Sequence, residues 1–178
     1  ALMAVPFVQV GAPIRSKRSL LAREDGMQLA VAIARAQPGC RAILVLLDAD
    51  DDCPKTEAPK LLQWATQEAA PLPCAVVMAN REYEGWLLGC AEVLMRARGI
   101  PQAQPYPGEP ELKRDARGAL EALFGRDFHY VEREDQPALT ALADWQLVHQ
   151  RCRSFRKMVK ETRRLLEDCG LAPAEWAK

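Results

Sequence analysis

Six consecutive apolar residues, Ala42 to Leu47 (AILVLL), run without a break into Asp48-Ala49-Asp50-Asp51-Asp52. A short uninterrupted run of this kind suits a strand buried on both faces, as in a parallel sheet covered by helices. A second such run, Cys74 to Ala79 (CAVVMA), follows a helical stretch from Pro54 to Ala70 that carries Leu61, Leu62, Trp64 and Ala65. Pro71 and Pro73 close that stretch. Strand, helix and strand in this order predict a parallel crossover and therefore an α/β fold.

The flanking segments extend the pattern. Val5 to Val10 is a β-prone run ending in Gly11, and the basic residues Arg15, Lys17 and Arg18 follow it. Glu24 to Ala36 reads as a helix with Met27, Ala30, Val31 and Ala34 as its apolar stripe, stopped by Pro38-Gly39. One helix is predicted over Glu82 to Arg98, because Tyr83, Trp86, Leu87, Cys90, Leu94 and Ala97 recur at helical spacing. Gly99 to Pro110 holds four of the thirteen prolines and reads as a loop. Three helices are expected beyond it, over Glu111–Phe124, Pro137–Gln150 and Phe155–Cys169, the last with Ser154 as N-cap and Gly170 as its stop. The expected organisation is an α/β core over residues 1–98, a Pro-rich loop over 99–110, and a helical part over 111–178 packed on the core. A chain of 178 residues fits one domain of about 150 residues with a small appendage, and it can bury a core without disulfides or structural metal.

Charge and cysteine usage narrow the function classes. The 24 basic and 24 acidic side chains cancel, so the chain is not globally basic. No apolar run approaches the ~18 residues of a membrane span. No two of the six cysteines lie within four residues, which removes the paired spacing of a zinc site. With no secretory signal ahead of them, free thiols in a reducing cytoplasm are expected. The chain begins without methionine, which reads as a processed, tagged or truncated start.

The chemistry concentrates at the ends of the two apolar runs. In open parallel sheets, ligands bind beyond the carboxyl ends of the strands, where the aspartates fall. Side chains two apart on an extended backbone point the same way, so Asp48 and Asp50 can converge on one hard cation, Mg2+ or Mn2+. The plainer alternative is a solvated acidic turn, although four acids within five residues repel one another unless a cation offsets them. The second strand end offers Arg81, Glu82 and Glu84. Either glutamate could act as a further ligand or a general base, or simply as a first-turn acid that meets a helix dipole. Arg81 could contact a phosphate or pair with one of these acids.

A third region carries the opposite charge. From Arg151 to Arg164 seven cations stand against the single acid Glu161, a local net of 7 − 1 = +6. Arg153, Arg156, Lys157, Lys160 and Arg163 form a stripe suited to a nucleic-acid backbone, or else an ordinary solvated helix face. Gly11 to Arg18 (GAPIRSKR) imitates a phosphate-binding loop but lacks its second glycine and the Ser or Thr after the lysine. His129 and His149 form no metal pair. Cys152, between two arginines, is either a thiol of lowered pKa or a core thiol.

A buried strand ending in Asp-x-Asp resembles the metal-binding strand of the Toprim fold of topoisomerases, bacterial primases, recombination proteins and overcoming-lysogenization-defect nucleases. The closer resemblance is to the Toprim-like bacterial family called domain of unknown function 4276. It is carried by Leu44–Pro54 (LVLLDADDDCP), Ala79–Leu88 (ANREYEGWLL) and Ser154-Phe155, and it extends from about Val8 to about Leu166. The resemblance implies a Toprim-like (Rossmann-like) parallel sheet flanked by helices, with magnesium on Asp48 and Asp50. It also implies a catalytic glutamate at the end of a first strand. No Glu-Gly strand end precedes Val5, so either that strand is missing from the chain or the acid is, and Glu82 and Glu84 are the acids left to compensate. The expected function is magnesium-dependent cleavage of DNA or RNA phosphodiesters. The rival is a non-catalytic binding or regulatory module that partners an ATPase, in defence against foreign DNA. A phosphotransferase or phosphatase on a similar sheet is the third reading, and association into a homo-oligomer is left open.

Overall fold

The computed structural model describes residues 10, 11, 13, 14 and 16–171. The elements run α1 (Arg18–Leu21), α2 (Glu24–Arg35), β1 (Ile43–Asp48), α3 (Pro54–Ala69), β2 (Cys74–Ala79), α4 (Glu84–Leu88) and α5 (Ala91–Ala97). A 3-10 turn at Pro110–Leu112 then leads to α6 (Ala116–Phe124), α7 (Glu132–Leu142), α8 (Trp145–Arg151) and α9 (Arg153–Asp168). The fold is mixed α/β: β1 and β2 form a small parallel sheet, flanked by helices. Its register is set by Ile43 N donating to Pro73 O at 3.0 Å and Ala49 N to Ala79 O at 2.9 Å, so the paired positions advance together. Most of the expected strand Val5–Val10 lies outside the described residues.

The described residues divide into two compact units, one of residues 10–45, 55–76 and 160–171, the other of 46–54 and 77–159. In the first, Met27, Val31, Ile43, Leu61, Ala65 and Leu165 are buried. Arg35 Nη1 ties the ends of α2 and α3 by donating to Glu68 O and Ala70 O at 2.8 and 3.1 Å. Gly26 permits the close approach of α1 to α2, since a Cβ there would lie 2.1 Å from Leu20 O. The core of the second unit is built from Trp86, Leu87, Leu88, Leu94, Leu120, Tyr130, Leu139 and Val148. Burying each large side chain there stabilises by about 1.5–3 kcal/mol. Trp86 meets Phe155 edge to face with centroids 5.1 Å apart, so it serves the core and not a stacking platform.

Four boundaries differ from the sequence expectation, two through contacts distant in sequence and two through local ones. The stretch 82–98 is two helices, α4 and α5, broken at Gly89-Cys90. Gly89 packs so tightly that a Cβ would lie 2.8 Å from Cys152 Sγ, and its carbonyl accepts from Arg151 Nη1 at 2.9 Å. The expected helix 137–150 is also two, because Asp144 caps α8 by accepting from Gln146 N and Leu147 N. Helix α7 starts five residues ahead of Pro137, with Glu132, Glu134 and Asp135 in its first turn, where acids favour the dipole. Ser154 is not the cap of α9. Glu111 fills that place from a distant loop, its carboxylate accepting from Arg153 N at 2.6 Å and Ser154 N at 2.7 Å. Strand β1 is also less covered than its apolar run implied, for Leu46 is exposed whereas β2 is buried throughout.

Candidate functional site

Asp48 closes β1, and the turn after β2 comes back over it. Tyr83 N donates to Asp48 Oδ1 at 2.8 Å, and Asp50 N donates to Arg81 O at 2.8 Å, so the two strand ends are stitched together. The result is a cleft of about 160 Å³ lined by Asp48, Glu82 and Glu84 on one side and by Arg117, Tyr130 and Glu132 on the other. Burial pushes the Asp48 carboxyl up to about 7. The Tyr83 amide opposes that rise, and the neighbouring charges of Glu84, Asp50 and Glu82 add to it.

The two glutamates have different tasks. Glu84 is buried, and its Oε1 accepts from the Tyr130 hydroxyl at 2.6 Å and from Gln136 Nε2 at 3.2 Å. Burial and the bond to Glu84 raise the Tyr130 phenol well above its usual value, so it stays a donor. Glu82 instead caps the start of α6, accepting from Asp115 N and Ala116 N at 2.9 Å each. Asp50 does not line the cleft. It follows the strand with φ of 51°, outside the extended region, so strand alternation does not govern where its side chain goes.

The remaining candidates are distributed around this centre and along α9. Arg81 Nη1 donates to Asp51 Oδ1 at 2.8 Å, and Arg114 Nη1 reaches the same oxygen at 2.7 Å. On α9, Arg153, Arg156, Lys157, Lys160 and Arg163 are exposed and recur at three- and four-residue spacing, which sets them on one helix face. Arg156 also caps α8 through His149 O and Gln150 O. Arg151 is withdrawn from the stripe by its ion pair with the buried Glu92 at 2.8 Å. Cys152 is a core thiol, pushed up to about 12 chiefly by burial.

No family model, curated protein or solved structure matches this chain. The site is therefore judged on its own donors. Those lining the cleft are oxygens and nitrogens of Asp, Glu, Tyr, Gln and Arg, with no thiol or imidazole among them, which suits a hard cation and not zinc. Among the described residues no three His, Cys, Asp or Glu side chains converge as a ligand cage. An octahedral magnesium ion does not demand one, since one or two carboxylates, waters and phosphate oxygens complete its shell. Sequence reasoning missed Tyr130, Gln136 and Glu132 on the far wall; nothing in their local pattern marks them, and only the fold brings them opposite Glu84. No described helix is long and apolar enough to cross a membrane.

Proposed function

We propose that the chain is a Toprim-like, magnesium- or manganese-dependent enzyme that cleaves nucleic-acid phosphodiesters, with its centre at the carboxyl ends of β1 and β2. The observation that carries this reading is the Asp48 carboxyl, half-buried at a strand end among like charges and pushed up to about 7. A divalent cation relieves that repulsion where a proton otherwise would. Asp48 would hold the ion, with waters and phosphate oxygens completing its shell, and Asp50, which lies off the cleft, is not among its ligands. A bound ion of this kind polarises a phosphate and lowers the pKa of an attacking water. Glu84, whose carboxylate is held by Tyr130 and Gln136, would accept the proton of that water. Glu82 keeps the start of α6 in place and is a positioning residue. Arg81 and the α9 cations, Arg153, Arg156, Lys157, Lys160 and Arg163, contact the phosphate backbone.

Nicking of supercoiled plasmid in magnesium is expected of the wild-type chain and is lost in Asp48→Asn, with the far-ultraviolet spectrum unchanged. Equal nicking by both proteins refutes the reading. The exposed cations along α9 equally suit a second reading, a nucleic-acid-binding module without catalysis. It predicts oligonucleotide binding with no metal-dependent product.

A further inference from the structure

Beside the acidic cleft, two guanidinium groups converge on one carboxylate oxygen. Arg81 Nη1 and Arg114 Nη1 lie 2.8 and 2.7 Å from Asp51 Oδ1. Two cations share one carboxylate oxygen, so neither guanidinium has an acid to itself there. Its geometry is fixed from below. Glu82, next in sequence to Arg81, holds Asp115 N and Ala116 N and so anchors the turn that carries Arg114. The backbone of Asp50 is held on Arg81 O, which brings Asp51 to the pair. Arg81 is three-quarters withdrawn from solvent, with a side-chain exposure of 28%, and its Nε is buried without a hydrogen-bond partner. The Asp51 carboxylate thus leaves part of the Arg81 guanidinium's donor capacity unused.

We propose that Arg81 and Arg114 form a clamp for one phosphate of a nucleic-acid backbone, and that Asp51 occupies this clamp as an intramolecular stand-in. The inference rests on the phosphodiester reading for its ligand class, but not on catalysis. Asp51 is 68% exposed, so it leaves the clamp by side-chain rotation. A phosphate can give each guanidinium oxygens of its own, where here both share the single Asp51 Oδ1, and so it can meet both in forked geometry. Displacing Asp51 costs little, because exposed ion pairs are weak. The substrate therefore enters against a modest competing anion instead of a closed lid.

Affinity for a short fluorescein-labelled DNA oligonucleotide, measured by anisotropy in EDTA, tests the clamp with cleavage silenced. Asp51→Asn keeps the shape of the side chain and removes the competing charge. It is expected to tighten binding about three- to tenfold and to steepen the log–log salt slope by about one. Arg114→Gln, at a 69% exposed position, weakens binding and cancels the gain when combined with Asp51→Asn. Asp51→Asn binding no tighter than wild type, or Arg114→Gln retaining wild-type affinity, overturns the proposal. Loss of magnesium-dependent nicking alongside tighter Asp51→Asn binding would strike the catalytic reading alone.

Discussion

Replacing Asp48 by asparagine keeps the outline of the side chain and its acceptance of the Tyr83 amide, but removes the charge that the cleft opposes. In the folded protein this carboxyl is raised from 3.8 to about 7, first by burial and then by Glu84, Asp50 and Glu82. A raised pKa means that the folded state holds a proton that the unfolded chain has already released. The contribution to stability is thus fully present below about pH 4 and is lost as pH rises through about 7. One proton over that window is worth about 1.4 kcal/mol per pH unit, or up to ~3 kcal/mol between about pH 5 and about pH 8. Asp48 is only partly buried, and solvent screening reduces this to about 2 kcal/mol. Urea denaturation of both proteins at the two pH values reads the effect, because titrating groups remote from Asp48 cancel in the difference and only the neighbours coupled to it remain. The stability of Asp48→Asn relative to wild type should rise by about 2 kcal/mol between about pH 5 and about pH 8. Millimolar magnesium at the higher pH should narrow that gap by stabilising the wild type alone. A stability difference that is the same at both pH values refutes the burial and repulsion argument.

Two further substitutions probe the scaffold behind the cleft. Ser154 Oγ accepts from Trp86 Nε1 at 2.7 Å and Asn80 N at 3.1 Å, so Ser154→Ala strands two donors. It should cost about 2–3 kcal/mol by chemical denaturation, and a loss below about 1 kcal/mol would deny the bond to Trp86 its weight. Arg151→Met leaves the Glu92 carboxylate, only 5% exposed, without its guanidinium and should cost about 3–5 kcal/mol. Adding Glu92→Leu should recover most of that loss, because the second change removes the stranded charge.

The parts of this fold that sequence reveals are those set by local pattern. The CAVVMA run becomes β2 from Cys74 to Ala79 without adjustment, and α2 and α3 end within one residue of the periodic stretches that predicted them. The apolar run into Asp48 likewise marks the strand end on which the cleft forms. What local pattern cannot supply is a partner far along the chain. Glu111 looks like the start of a helix, yet its carboxylate caps α9. Glu82 looks like a first-turn acid of its own helix, yet it caps α6. A carboxylate has several lone pairs and no preferred neighbour in sequence, so only the assembled fold decides which backbone amides it meets. Asp50 shows the same limit in another way: strand alternation fails one residue past the strand, where a positive φ redirects the chain.

The Glu111 anchor bears on where this chain can change in length. Its carbonyl accepts from Asn80 Nδ2 at 2.9 Å, its carboxylate holds the first amides of α9, and Pro110 O lies 3.2 Å from where a Gly85 Cβ would stand. The end of the Pro-rich loop is thereby tied to the strand end, to α4 and to α9 within two residues. Insertions are expected to be tolerated upstream of that knot, over the exposed residues between Gly99 and Pro105 and ahead of Tyr106, which packs on the core, and not at Pro110-Glu111. The loop is a tether of adjustable length with a fixed terminus, and a grafted tag or affinity handle belongs in its first half.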